Sequence, residues 1–282
     1  MSLPFEQIHP VIVTAPTARN GVTLLQRLLN SSRQIIVYGE NKHFCELMPH
    51  VVFSANQVHV TNHDELERSR HRFLHETTEF WSSNLWPNTG GYLRQAMEAF
   101  RAFVRYYQSC SEEYGYPRWG LKHPFTNVQV LDRFFSLLPT GRFIYIYRNL
   151  FDVARSSKAR KFATTPQDFA ALATSWSDSL RVLRRTRADN LLVIKYEELL
   201  SRPAEWIARI EGFVGIQGIK PEVMNKKFNT FRGEPKNGHS PTEYIEPAAL
   251  TDQERGNLCQ YAAEMLAAEN YADSAAPEPA LV

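Results

Sequence analysis

The chain has 282 residues, 43% hydrophobic and 12% aromatic, enough to bury a sizeable core in one domain or two. Its formal net charge of +2 is too slight to imply a nucleic-acid partner or a membrane surface. Cys45, Cys110 and Cys259 have no metal-ligand spacing and leave an odd count, which fits free thiols in a reducing compartment.

The first element is the most informative. Pro10–Leu29 opens as a short apolar strand, Val11–Val13, and closes as a helix with Leu24, Leu25, Leu28 and Leu29 on one face. The turn between them holds Arg19, Asn20, Gly21 and Thr23. A turn into a helix leaves the first backbone N–H groups unpaired, and with the helix dipole they favour a phosphate. Gly21 lets the backbone come close, Thr23 adds a hydroxyl and Arg19 a fixed charge. This is not the nucleotide triphosphatase loop. Aligned on Gly21 and Thr23, the first Gly position holds Pro16 and the Lys position holds Val22.

A second apolar run, Ile35–Val37, leads to Gly39-Glu40. The following stretch, Asn41–Arg118, reads as a mostly helical insert, with helices at about His63–Trp81 and Tyr92–Glu113. It is rich in aromatic residues, and the helical spacing of Phe100, Phe103 and Tyr107 assigns most of them to the core. Trp119 begins a segment that reads Gly120-Leu121-Lys122-His123-Pro124-Phe125.

Arg142–Tyr147 reads as a buried strand with Arg148 at its carboxyl end, where ligands bind in open α/β sheets. A helix at about Phe151–Lys161 carries Ser156 and Arg160 one turn apart. Arg148, Ser156 and Arg160 are therefore candidates for a second phosphate site, against the alternative of a solvated basic helix. Gln167–Ala188 reads as a helix whose basic end, with Arg181, Arg184, Arg185 and Arg187, suits the dipole. An extended segment then leads to Tyr196-Glu197-Glu198-Leu199, Pro203 and a further helix. Phe228–Thr242 reads as a polar loop, Thr251–Glu269 as a last helix and residues 273–282 as a frayed tail.

Ala18-Arg19-Asn20-Gly21-Val22-Thr23, Arg148 with Ser156, and the Tyr196 segment together resemble the sulfotransferases that use 3′-phosphoadenosine 5′-phosphosulfate (PAPS). The similarity covers about Pro10–Phe44, Trp119–Lys161 and Leu191–Ile216, with Ala18, Asn20 and Val22 departing from the pattern. It is strongest toward the tyrosyl-protein and related bacterial branch. The resemblance implies a P-loop-like, three-layer α/β fold: a central parallel sheet of about four or five strands with helices on both faces. Residues 1–272 would form one domain, with residues 41–118 as an acceptor-side helical insert.

The same resemblance implies that Arg19, Asn20, Gly21, Val22, Thr23 and Leu24 hold the 5′-phosphosulfate and that Arg148 and Ser156 hold the 3′-phosphate, with Arg160 joining them by its place one turn from Ser156. Tyr196 would lie by the adenine, and Lys236, with Arg232, would close over the 3′-phosphate from the polar loop. Lys122 and Arg19 would stabilise charge at the transferring group. Glu40 would be the general base, with His43 and His123 as rivals. The implied activity is transfer of sulfonate from PAPS to an acceptor hydroxyl, or an amine, without a metal. The acceptor class stays open between small molecule, carbohydrate and peptide, and the oligomeric state is open. A P-loop small-molecule kinase and a non-catalytic nucleotide-binding module are the alternatives. With no apolar stretch long enough to cross a membrane and no signal peptide before the first strand, the expected location is cytoplasmic.

Overall fold

The computed structural model describes residues 3–79, 85–124, 128–225 and 245–271. Five parallel strands make one sheet: β1 (Val11–Thr14), β2 (Ile36–Tyr38), β3 (Trp119–Lys122), β4 (Arg142–Tyr147) and β5 (Leu191–Lys195), in the order β2-β3-β1-β4-β5. A parallel sheet covered on both faces needs apolar residues pointing both ways. Accordingly all four residues of β1 are buried, and β4 is buried from Phe143 to Ile146.

Alternate side chains enter different cores. Val11 and Val13 pack with Leu25, Leu28 and Leu29 of α1 (Val22–Ser31) and with Trp206 and Ile210 of α8 (Pro203–Val214). Ile12 packs on the opposite face with Phe44, Trp119, Phe134 and Phe143. That face carries α2 (Met48–His75), α3 (Thr89–Glu113), α4 (Val128–Leu137), α5 (Leu150–Ala159), α6 (Pro166–Arg185) and α9 (Asp252–Ala268). The remaining helix, α7 (Tyr196–Ser201), follows β5 directly. Beside the centre of the sheet, Gly120 meets Val11 so closely that an added Cβ would stand 2.4 Å from the Val11 carbonyl oxygen.

Three expectations shift. The first insert helix begins at Met48 rather than near His63, because Pro49 pre-sets its first turn and Val52 and Ala55 carry a buried stripe. Tyr196 starts a helix instead of ending an extended segment. Phe103 is exposed, as are Tyr92 and Tyr106, whereas Phe100 and Tyr107 join the aromatic core around Phe44 and Trp119. Trp81, Phe125, the polar loop with Arg232 and Lys236, and the tail from 273 lie outside the described residues. Among the described residues no helix is long and apolar enough to cross a membrane.

Candidate active site

Because all five strands are parallel, their carboxyl ends share one rim. The β1–α1 loop, Glu40, Lys122, Arg148 and Tyr196 each follow or end a different strand on that rim. A cleft there is lined by Arg19 and residues 21–24 of the loop and the start of α1, and by Arg148, Ser156 and Tyr196.

The loop is shaped by its backbone. Gly21 has φ of 104°, in the left-handed region, and caps α1 with no side-chain hydrogen bond. The first-turn amides of α1 thus keep their capacity to bind an anion. A Cβ on Gly21 would lie 2.7 Å from Cδ2 of Tyr196, so conformation and space both require glycine. Arg19 also sits in the left-handed region, with φ of 72°, which is costly for a residue with a Cβ. There its Nε donates to Ser156 Oγ at 3.0 Å.

Asn20 is fully buried and works inside the scaffold. Its amide donates to the Thr17 carbonyl at 2.9 Å and to Thr17 Oγ1 at 2.8 Å, while its Oδ1 accepts from the Arg148 backbone N–H at 2.9 Å. The loop is therefore tied to the end of β4 by a side chain. Arg148 packs its guanidinium 4.7 Å from the centre of the Tyr196 ring and pairs with Asp152 at 3.4 Å. Asp152 also holds Arg155 at 2.8 Å, so an acid sits among the basic residues of α5. Arg160 caps the carboxyl end of α5 and does not line the cleft.

Across the rim, Lys122 Nζ stands 3.5 Å from Thr23 Oγ1 and 3.2 Å from Glu40 Oε1. One ammonium thus joins the anion loop to the carboxylate at the end of β2. The Lys122 side chain is 14% exposed and that of Glu40 46%. His123 is buried, and its Nε2 lies 2.9 Å from Glu46 Oε1. Glu46 belongs to a π-helical turn, His43–Leu47, that opens the insert, and π turns are frequent at functional sites. His43, at the start of that turn, is exposed.

Asn41 anchors the turn by accepting from the Phe44 N–H at 3.1 Å and donating to the Tyr107 hydroxyl at 2.6 Å. A second cleft of about 310 Å³ is lined by His50, Phe53 and Gln57 of α2 and by Arg133 of α4.

Sequence reasoning missed Glu46, Thr17, Asp152 and Glu197. The i,i+4 spacing of Arg148 and Asp152 could have flagged one of them. Thr17 bonds Asn20 three residues on, a local turn contact, whereas Glu46 and Glu197 are joined to their partners only by the fold.

The family model described as "Sulfotransferase family" matches residues 10–221. Among solved structures, the sulfotransferase STF9 from Mycobacterium avium aligns over 96% of this chain and 78% of its own, with 14% identity and a TM-score of 0.51. The sulfotransferase domain of the Synechococcus PCC 7002 olefin synthase aligns over 90% of this chain and 94% of its own, with 20% identity and a TM-score of 0.49. None of the curated proteins matches the chain in sequence.

Proposed function

The chain belongs to the sulfotransferase family, and from that premise we propose that it moves a sulfonate from PAPS to an acceptor hydroxyl. The observation that carries this reading is Lys122, whose ammonium stands between the Thr23 hydroxyl at 3.5 Å and the Glu40 carboxylate at 3.2 Å. An anion-binding loop, a cation and a candidate base are brought within one contact network.

The donor set suits a nucleotide with an anionic group at each end of its ribose. The first-turn amides of α1, Thr23 and Arg19 form one anionic subsite. Arg148 and Ser156 form the other, with the Tyr196 ring beside them. Bound there, PAPS supplies the sulfonate, and adenosine 3′,5′-bisphosphate is what remains. Arg19 and Lys122 offset the negative charge that grows on the departing phosphate side, where fixed donors act without reorganising. Glu40 takes the proton of the acceptor hydroxyl. Its side chain is 46% exposed and it directly precedes the helical insert in the chain, so the acceptor is expected to enter beside that insert.

A screen of phenolic, carbohydrate and peptide alcohols with sulfur-labelled PAPS tests the proposal. Label should pass to an acceptor as adenosine 3′,5′-bisphosphate accumulates. Transfer of labelled phosphate from magnesium-ATP to the same acceptors, with none from PAPS, would overturn it.

A further inference from the structure

The main chain just past β4 is held from several directions. The Arg148 N–H donates to Asn20 Oδ1 at 2.9 Å, and the Arg148 carbonyl accepts from the Trp176 indole of α6 at 3.0 Å. The next amide, that of Asn149, donates to Glu197 Oε1 of α7 at 2.8 Å. These side chains take over where the β4–β5 ladder ends, at Tyr147 opposite Lys195. They supply the partners that buried backbone groups require.

Glu197 is itself held. Its Oε2 accepts from the Tyr271 hydroxyl at 2.7 Å, three residues beyond the end of α9. Tyr271 lies under the Lys195 ammonium, 4.0 Å from its ring centre, with the Trp176 ring 6.1 Å away. Lys195 in turn donates to the Glu269 carbonyl at 2.8 Å, and Tyr147 donates to the Glu269 carboxylate at 2.8 Å. Burial, and then the neighbouring Glu197 carboxylate, push the Tyr271 hydroxyl far above its ordinary range, which keeps it the donor of the pair.

The convergence is selective. Glu197 grips the backbone beside Arg148, while the adjacent Tyr196 packs against the Arg148 guanidinium. Two successive residues thus fix both the stem and the head of one cleft cation. We propose that Glu197, locked by Tyr271, is a positioning residue that aims Arg148 and thereby sets selectivity for a nucleotide carrying a second phosphate. This rests on the reading of Arg148 as a ligand of the 3′-phosphate.

Calorimetry with adenosine 3′,5′-bisphosphate and adenosine 5′-monophosphate, on the full chain and its Tyr271→Phe variant, tests it. The variant deletes one hydroxyl and keeps the ring. Bisphosphate affinity should fall about three- to tenfold, the loss of one hydrogen bond, while monophosphate affinity holds. Glu197→Gln keeps an acceptor for the Asn149 amide and should retain more of the preference than Glu197→Ala. An unchanged ratio of the two affinities in Tyr271→Phe overturns the inference while leaving Arg148 in its role. A parallel loss for both nucleotides, with a lower melting temperature, shows a merely structural contact and also overturns it. No preference for bisphosphate in the parent chain removes the Arg148 reading and this inference with it. If Glu197→Ala does not fold, the Tyr271→Phe ratio decides alone.

Discussion

Glu40 and Gly21 make opposite demands on the site. Glu40 is 46% exposed and bonded to Lys122, so it can meet an acceptor without being part of the core. Glu40→Gln preserves the shape and removes the carboxylate proposed as the base. It should lower kcat by on the order of 10²–10⁴-fold with little change in nucleotide affinity. Steady-state kinetics beside calorimetry on Glu40→Gln and His43→Ala check this. Near-normal turnover in Glu40→Gln with an inactive His43→Ala would move the role to the histidine. Gly21, by contrast, is fixed by its backbone, with φ of 104° and the Tyr196 ring 2.7 Å from where a Cβ would go. Gly21→Ala should cost on the order of 1–3 kcal/mol in backbone strain and weaken bisphosphate binding as the Tyr196 ring moves aside. An alanine variant with unchanged melting temperature and affinity would mean that the loop is softer than this geometry implies.

At the scale of elements, two of the helices carry their own start signals. Thr165 and Asp168 form a capping box at the start of α6, and Thr251 and Glu254 form another at the start of α9. Backbone N–H groups of Thr164 and Thr165 hold the Asp168 carboxyl below its usual range. Burial works to raise that of Glu254, but hydrogen bonds from Lys158 and Thr251 outweigh it and leave it lowered.

A carboxyl depressed in the folded state adds stability above its unfolded value of about 4, and that contribution disappears as pH falls through the folded value. Melting temperature should therefore drop below about pH 4, and less steeply in Asp168→Asn and Glu254→Gln. Identical acid profiles for parent and variants would contradict the assignment. Thr251→Ala should cost about 0.5–2 kcal/mol by denaturant titration.

These boxes also show what the sequence discloses. The sequence reading places β4, α6 and α9 to within a few residues, because local pattern and tertiary burial agree there. The start of α2 and the helical state of Tyr196 were less legible, since α2 buries few side chains and α7 is only Tyr196–Ser201. Within the site, Arg19, Gly21 and Arg148 were legible as chemistry in the turn after β1 and at the end of β4, and Lys122 only through the family resemblance. The bond of Asn20 to Arg148, of Glu46 to His123 and of Glu197 to Tyr271 each join distant segments, and no local spacing encodes them.

The whole molecule turns these separate segments into one site by strand order. With β1 at the centre, β3 on one side and β4 on the other, the anion loop lies between Lys122 and Arg148. Positive charge comes from side chains on both flanks, so turnover should persist in a chelator. Activity that collapses with chelator and returns with magnesium would favour phosphoryl over sulfonate transfer.

The central claim is that the rim holds a nucleotide with phosphate-type groups at both ends of the ribose. Calorimetry of the parent chain with adenosine 3′,5′-bisphosphate and with adenosine 5′-monophosphate tests it most directly. A charge-assisted contact of about 1.5–3 kcal/mol at Arg148 predicts tighter binding of the bisphosphate by about 10- to 150-fold. Equal affinity for the two nucleotides, or tight binding of magnesium-ATP in their place, would contradict the account.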